Sequence, residues 1–273
     1  ANLALAMAFV SYIYCQDRVD GDSCGVCAAC KLTHKQIHPD VHFSFPVVKS
    51  ESKKREDTTS DDFLPQWRTI IQQNAFFTFY DWQQAIHAQT TKPNINTKEC
   101  NDIIQKLSYQ SFSDGPKVLL MWMPEFLGKE GNKLLKLTEE PTDNTYRILV
   151  PNGQDKILNT ILSRCQLMKF LPFHEEELKD YLSTQMGLPN EAATRISRAA
   201  EGNIAKAVDG AKGADKNQSS MLFDWLRICY KGDSEEMTGF VNEMVGLSLD
   251  NQVRFLEYSL HFFETYLGFL LTE

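Results

Sequence analysis

Four cysteines near the start of the chain have the spacing of a metal site. They follow the pattern C-x8-C-x2-C-x2-C at Cys15, Cys24, Cys27 and Cys30. Four thiolates form the tetrahedral ligand set that structural Zn²⁺ takes, and they leave no open position for a water molecule. Gly21 and Gly25 give the backbone the freedom that a tight ligand loop needs. The spacing therefore predicts a structural rather than a catalytic zinc site.

Two other states of these cysteines stay open on the spacing alone. An iron–sulfur cluster also takes four thiolates, and free or disulfide-bonded cysteines are the second alternative. The chain has seven cysteines, of which Cys100, Cys165 and Cys229 are scattered. An odd number argues against a disulfide framework and against an oxidising compartment. The cysteine count therefore predicts a cytoplasmic location, and the prediction of zinc rests on the spacing.

The overall composition is that of a globular protein with an acidic balance. The 273 residues are 42% hydrophobic and 23% charged, and the formal net charge is −8. A protein that binds DNA by itself usually has a basic surface. Because this chain is acidic, we expect any nucleic-acid contact to be local or shared with partners. No run of about 18 apolar residues predicts a membrane span, and no secretory signal is evident.

Apolar patterns predict that strands and helices alternate in the first part of the chain. The predicted strands are residues 41–48, 117–123, 145–150 and 166–170. The predicted helices are residues 2–15, 31–36, 97–110, 132–140 and 155–162. Alternation of this kind is typical of an α/β fold with a parallel sheet.

An insertion of about residues 49–92 separates the first two predicted strands. Its polar part, residues 49–62, has the composition of a solvated, mobile loop. Residues 63–87 are rich in aromatic side chains. Aromatic rings can stack on single-stranded bases, but no basic residue lies among residues 76–82. We therefore expect an inserted helical segment whose rings pack in the core.

The character of the chain changes after Pro172, where helical patterns follow one another without strands. The predicted helices are residues 175–186, 190–200, 204–212, 221–230, 234–245 and 251–271. The polar stretch 213–219 is predicted to be a linker between the first three helices and the rest.

Three motifs follow one another in a recognisable constellation. They are His38-Pro39-Asp40, the stretch NKLLKLTEEP at residues 132–141, and TILSRCQ at residues 160–166. Together they resemble bacterial DNA polymerase III clamp-loader subunits of the AAA+ superfamily, over most of residues 1–212. The resemblance implies a P-loop-type parallel sheet with a zinc-binding module, a helical lid and an all-α C-terminal collar segment.

The resemblance also implies domain boundaries. The AAA+ core would cover residues 1–170 with the zinc module at 15–30, the lid residues 171–212, and the collar residues 213–273. The chain opens at Ala1 within a helix-like stretch and stops within a predicted helix. We therefore expect further residues upstream of Ala1, where the family's P-loop position would lie, and further collar residues downstream.

Two positions decide between the ATPase and the non-hydrolysing subunits of this family. In the ATPases, acidic residues at the end of a buried strand hold Mg²⁺ and polarise water, but here Trp122 and Met123 stand there. The lid pattern Gly-x-x-Arg, which presents an arginine to the γ-phosphate, matches residues 202–205, where Ala205 replaces the arginine. The resemblance therefore points to a subunit that does not hydrolyse ATP.

Arg164 is the candidate catalytic residue that the resemblance singles out. In the family, the arginine of Ser163-Arg164-Cys165 reaches across a subunit interface into a neighbour's ATP site, as an arginine finger. Ser163 and Cys165 would shape the loop and pack beneath it. The alternative is that Arg164 only caps its own helix C-terminus, which the helix dipole favours.

The resemblance implies a function in DNA replication for an assembly rather than for the chain alone. The chain would scaffold a hetero-pentamer with the tau/gamma ATPase subunits and the delta subunit, which loads the sliding clamp on primed DNA. The assembly belongs to the DNA polymerase III holoenzyme, a DNA-directed DNA polymerase and nucleotidyltransferase. Two alternatives remain: an active ATPase subunit of the same loader, and a zinc-dependent DNA-binding module built on Cys15 to Cys30.

Overall fold

The computed structural model describes most of the chain, which divides into two compact units. The described residues are 2–50, 52–88, 91–113, 115–130, 144–212, 214–247, 251–253, 255–256, 258–260 and 262–263. Unit 1 is Ala1–Leu171 and unit 2 is Pro172–Glu273. Unit 1 carries both the cysteine cluster and the Ser-Arg-Cys motif.

Unit 1 contains a three-stranded parallel sheet with helices on both faces. Its strands are β1 (Val41–Ser44), β2 (Lys117–Trp122) and β3 (Thr145–Val150). Its described α-helices are α1 (Asn2–Tyr14), α2 (Ala28–His34), α3 (Leu64–Gln73), α4 (Phe79–Ala85), α5 (Thr97–Ser108) and α6 (Asn159–Leu162). The predicted α/β class with a parallel sheet is confirmed.

β2 is the central strand of the described sheet. Val118 lies opposite Val41 of β1, and Trp122 lies opposite Val150 of β3. All six residues of β2 are buried, as the continuous apolar run predicts for a strand covered on both faces. The three strands run in the same direction, so their carboxyl ends share one edge of the sheet.

The two faces of β2 contribute to separate hydrophobic cores. Val118, Leu120 and Trp122 pack with residues of α1, α3 and α4, whereas Leu119 and Met121 pack with residues of α5. Alternate residues of a strand point to opposite faces. A single apolar strand therefore anchors both helical layers.

The aromatic segment forms α3 and α4 and fills the larger of the two cores. Trp67 and Trp82 are fully buried. Trp67 stacks on Phe45 with ring centroids 4.2 Å apart, and the two indole rings meet edge to face at 5.5 Å. Such pairs add stability beyond the apolar area that they bury. The packing interpretation is confirmed, and these two rings are not available to stack on bases.

The prediction of a solvated, mobile loop is wrong for the end of the polar segment. Thr58 and Ser60 are buried. Short 3₁₀ helices cover Arg55–Asp57 and Ser60–Phe63. Ser60 Oγ donates to the carbonyl oxygen of Phe45 at 3.1 Å, and the Ser60 N–H donates to the Glu99 carboxylate at 2.7 Å. Small polar side chains fit here because they satisfy backbone groups at the edge of the sheet.

The predicted fourth strand is not observed. Residues 166–170 are irregular chain, and the described sheet consists of β1, β2 and β3. Leu167, Met168 and Phe170 are 52%, 65% and 51% exposed. A strand needs a hydrogen-bonded neighbour, which an apolar pattern alone does not supply. The helix predicted at 155–162 is also shorter, with a 3₁₀ turn at Gln154–Lys156 followed by α6.

Unit 2 is helical in the residues that the structure describes. Its helices are α7 (Glu175–Thr184), α8 (Asn190–Ala199), α9 (Ile204–Ala211), α10 (Ala214–Lys231) and α11 (Ser234–Gly246). The linker prediction is wrong for residues 214–219, which open α10 and contain no glycine or proline to interrupt a helix. The boundary between lid and collar stays a prediction. Within the described parts of both units, no helix has the length and apolarity to cross a bilayer.

Two sequence predictions lie outside the described residues. The helix at 132–140 and the whole NKLLKLTEEP motif at 132–141 fall in the gap between residues 130 and 144. The last predicted helix, 251–271, is described only in four short pieces up to residue 263, all of them helical.

Candidate metal site and interface arginine

The four predicted ligand cysteines lie together where α1 ends and α2 begins. Cys15 directly follows α1, Cys27 is the N-cap of α2, and Cys30 lies in its first turn. Gly21 and Gly25 bend the connecting loop with φ angles of 80° and 70°. Only glycine enters this left-handed region without a side-chain penalty, so the expected role of these glycines is confirmed.

The sulfur atoms of the cluster are close enough to share one ion. The ligand atoms of all four cysteines lie within 4.8 Å of one another, and the Sγ atoms of Cys24 and Cys30 are 4.0 Å apart. Four Zn–S bonds of about 2.3 Å in a tetrahedron place sulfur atoms about 3.8 Å apart, whereas a disulfide holds them at about 2.05 Å. None of the four cysteines forms a disulfide. The geometry fits one tetrahedral ion.

The cluster is also distinct among the described residues. No other group of three or more histidine, cysteine or acidic side chains among them converges as a potential metal site. An iron–sulfur cluster would distribute the four thiolates over two or four iron atoms and so spread the sulfur atoms further than one shared ion does. A single ion therefore suits the compact arrangement better.

Backbone N–H groups point at the sulfur atoms and favour the thiolate form. The N–H of Cys24 donates to Cys15 Sγ at 3.2 Å, and the N–H of Cys27 donates to Cys24 Sγ at 3.4 Å. Hydrogen bonds from the backbone of Gln16 and Cys30 lower the pKa of Cys27 to about 6. Burial instead raises the pKa of Cys30 to about 12. Because a metal ion binds the thiolate form, the hydrogen bonds at Cys27 would favour binding, and Cys30 would have to lose a proton to serve as a ligand.

Asp40, the last residue of the His-Pro-Asp motif, is a structural clamp that the sequence interpretation missed. Its buried carboxylate accepts hydrogen bonds from the N–H groups of Phe112 and Ser113 at 2.6 and 3.0 Å, and from Ser113 Oγ. Burial opposes ionisation, but these bonds hold the pKa of Asp40 below its ordinary value. The sequence signal that could have indicated this role is an acidic residue placed directly before a buried strand.

The carboxyl end of β2 is filled by apolar packing. Trp122 and Met123 are each 6% exposed, and the ring of Trp122 lies 5.1 Å from that of Phe77. Glu125, the first acidic residue beyond them, accepts a hydrogen bond from the N–H of Asn152 at 3.0 Å. Neither an indole nor a thioether offers the oxygen ligands that Mg²⁺ requires.

In unit 2, the stretch that begins at Gly202 opens α9. The side chain of Asn203 caps the helix by accepting from the N–H of Ala205 at 3.0 Å. Gly202 has a φ of 79°, and a Cβ there would lie 2.5 Å from Pro172 Cβ and 2.8 Å from the Phe173 carbonyl oxygen. The first turn of α9 thus presents a methyl group where the Gly-x-x-Arg pattern has a guanidinium.

Arg164 lies on the surface of unit 1, in the turn that follows α6. Ser163, Arg164 and Cys165 are all exposed, and the packing of Ser163 and Cys165 beneath the arginine stays a prediction. Arg164 Nη1 donates to the carbonyl oxygen of Thr160 at 2.8 Å. The guanidinium therefore caps its helix in the isolated chain, as the alternative interpretation expects, while remaining accessible to another molecule.

Comparison with known proteins gives one consistent family. A sequence profile described as "DNA polymerase III, delta subunit" matches residues 1–174. The chain is 25% identical over 209 residues to DNA polymerase III subunit delta' of Bacillus subtilis, covering 77% of this chain and 48% of that protein. It is 23% identical over 208 residues to the delta' subunit of Escherichia coli, covering 75% of this chain and 49% of that protein.

A similarity over a shorter stretch extends to a second kind of subunit. The chain is 26% identical over 170 residues to DNA polymerase III subunit tau/gamma of Haemophilus influenzae, covering 60% of this chain and 23% of that protein. The chain spans about half the length of the delta' relatives that it matches.

Proposed function

This chain belongs to the DNA polymerase III delta-subunit family, as a delta-prime-like clamp-loader subunit, and we propose that it is a non-hydrolysing member of the loader. One observation carries the proposal. Unit 1 presents an exposed arginine, Arg164, whereas its own strand end holds Trp122 and Met123 in place of metal-binding acids. Such a unit could supply an arginine to a neighbour's ATP site, but it lacks the acidic residues to hydrolyse ATP at a site of its own.

The chemistry of Arg164 suits action in trans. Its guanidinium is always charged and can bind two phosphoryl oxygens at once. To reach a neighbour it must give up exposed contacts, among them the hydrogen bond to the Thr160 carbonyl oxygen, and each such bond is worth about 1 kcal/mol. An arginine finger accelerates phosphoryl transfer by about 10³–10⁵-fold, which corresponds to about 4–7 kcal/mol. The gain therefore exceeds the cost of releasing the cap.

The cysteine cluster supports a structural role for zinc in this proposal. Cys15, Cys24, Cys27 and Cys30 would hold one Zn²⁺, which supplies a cross-link between the end of α1 and the start of α2. Four thiolate ligands leave no open coordination site, so the ion would not act on substrate.

The partners follow from the same proposal. The chain would scaffold a cytoplasmic hetero-pentamer with tau/gamma ATPase subunits and the delta subunit, within the DNA polymerase III holoenzyme. ATP binding and hydrolysis by the neighbours would open the sliding clamp and place it on primed DNA. The AAA+ core would lie in unit 1, and the collar helices that hold the assembly together would lie in unit 2.

The test is single-turnover ATP hydrolysis by the reconstituted loader, built from the full-length protein with or without Arg164→Ala. We expect the ATP at the one site that Arg164 completes to be hydrolysed about 10³-fold more slowly, with the pentamer intact. Arg195→Ala removes another exposed arginine, on α8, and should change nothing. Unchanged hydrolysis in Arg164→Ala would reduce Arg164 to a helix cap and contradict the proposal.

A further inference from the structure

Tyr14 connects the cysteine cluster to the sheet. It is the last residue of α1 and directly precedes Cys15. Its buried hydroxyl lies 3.1 Å from the carbonyl oxygen of Asp40 and donates closely to the carbonyl oxygen of Pro116. Asp40 directly precedes β1, and Pro116 directly precedes β2. One phenol therefore contacts the amino ends of two neighbouring strands.

The contacts of Tyr14 continue into a network. The ring of His38 lies 4.0 Å from the Tyr14 ring, and His38 Nδ1 accepts from the N–H of Asp40 at 3.3 Å. The Asp40 carboxylate in turn holds Phe112 and Ser113. We name residues 109–113 and 115–116 the β2 lead-in. This segment has no described secondary structure of its own, so such contacts fix its position.

A second anchor holds the other end of the β2 lead-in. Lys117 Nζ donates to the carbonyl oxygens of Leu107 and Tyr109. Phe112 is 83% exposed and Tyr109 is 57% exposed. The network therefore fixes the backbone of a segment that presents two aromatic side chains to the surface.

We propose that metal occupancy of the cysteine cluster is transmitted through Tyr14 to the β2 lead-in. Cys15 directly follows α1, and its N–H donates to the carbonyl oxygen of Ser11 at 3.0 Å, which continues the hydrogen bonding of the last turn. A metal bound to Cys15 Sγ fixes this last turn, whereas the end of a helix without such a tether frays. When the turn frays, the Tyr14 hydroxyl leaves both carbonyl oxygens and the lead-in loses one of its anchors. The inference rests on the proposed metal site.

Hydrogen exchange of the purified full-length chain tests the link, with and without Zn²⁺ under reducing conditions. We expect amides of the β2 lead-in to exchange about two- to tenfold faster without metal, as the loss of one net hydrogen bond implies. Amides of β3, which Tyr14 does not contact through hydrogen bonds, should keep their rates. Co²⁺ titration, read through its thiolate absorption, reports metal binding independently.

Two matched variants isolate the hydroxyl. Tyr14→Phe keeps the ring beside His38 but removes both hydroxyl contacts, so the β2 lead-in should exchange fast whether or not metal is bound. Tyr12→Phe removes a hydroxyl two residues away on the same helix and should behave as the wild type. Both variants should bind Co²⁺ like the wild type.

The outcomes separate the link from the site. Absence of Co²⁺ binding would overturn the metal site and the link together. If Co²⁺ binds normally but the amides of the β2 lead-in exchange at the same rate with and without metal, the link alone would be overturned. A uniform loss of protection across unit 1 on metal removal would also overturn it, because that result indicates general unfolding. If Tyr14→Phe does not fold, the exchange rates of the β2 lead-in in the wild type, with and without metal, still test the link.

Discussion

At the scale of single residues, Asp40 stabilises contacts between distant parts of unit 1. The Asp40 side chain is bound by two backbone N–H groups and one hydroxyl from Phe112 and Ser113. Such donors favour the charged carboxylate in the folded chain, and the pKa of Asp40 lies below its ordinary value. An aspartate in an unfolded chain has a pKa of about 3.9. The stabilisation is therefore complete above that pH and is lost as the pH falls through the folded pKa.

We expect Asp40→Asn to lower the free energy of unfolding by about 1–3 kcal/mol at pH 7, because three partly buried donors lose a charged acceptor. Urea denaturation of metal-free, reduced protein measures this difference, because a thiolate site would release its metal at the lowest pH used. The difference from the wild type should shrink below about pH 4 as the wild-type carboxyl becomes protonated. Ser113→Ala removes only the hydroxyl donor and should cost less. A difference that stays constant between pH 7 and pH 3 would contradict the role of the ionised form.

At the scale of elements, the turn into α9 depends on one glycine. Gly202 combines a φ of 79° with the close approach of Pro172 and Phe173, whereas Gly232 has a φ of 71° and no atom within 4 Å of an added Cβ. A left-handed backbone costs other residues about 1–2 kcal/mol. An additional clash with a packed neighbour typically costs about 1–3 kcal/mol more.

We therefore expect Gly202→Ala to destabilise the protein by about 2–5 kcal/mol and Gly232→Ala by only about 1–2 kcal/mol. Thermal unfolding followed by far-UV circular dichroism compares the two variants directly. Equal losses in both would show that the backbone conformation alone matters and that Pro172 does not constrain position 202.

Elements that depend on local pattern were predictable from the sequence. The apolar run of β2 and the apolar periodicity of the unit 2 helices can each be recognised within a short stretch of sequence. Residues 58–60 and 166–170 were predicted wrongly because their structure depends on distant partners. Ser60 is buried where it hydrogen-bonds to Phe45 and Glu99, which lie far from it in the sequence. Residues 166–170 have no strand beside them in the described sheet.

The same reasoning separates the parts of the candidate site. The cysteine cluster was predictable because its four ligands lie between residues 15 and 30. The bond between Tyr14 and Pro116 joins residues 102 positions apart, and that between Asp40 and Ser113 spans 73 positions. No local pattern encodes such pairs, so the support of the site could be found only in three dimensions.

At the scale of the whole molecule, the acidic balance sets an expectation for DNA. The net charge is −8, and few basic residues flank the cysteine cluster, namely Arg18, Lys31 and Lys35. Affinity that comes from phosphate contacts falls steeply with salt, in proportion to the number of contacts. If the chain contacts DNA mainly through its partners, the isolated chain should bind DNA weakly, and its affinity should depend little on salt concentration.

We expect the purified chain to bind a short primed duplex only weakly, with a nearly flat dependence on salt between 50 and 200 mM. Fluorescence anisotropy of labelled DNA measures both quantities, and the reconstituted loader serves as the positive control. Tight, salt-steep binding by the chain alone, lost when Cys24 is replaced by serine, would instead favour a zinc-dependent DNA-binding module.

The four tryptophans are divided unequally between the two units. Trp67, Trp82 and Trp122 share the larger core of unit 1, whereas Trp225 lies in unit 2 beside Phe255. Indole emission is sensitive to burial, so each unit carries its own optical reporter without any added dye. In Trp225→Phe the remaining emission would come from unit 1 alone. Comparing its unfolding curve with that of the wild type would reveal whether the units melt together or in sequence.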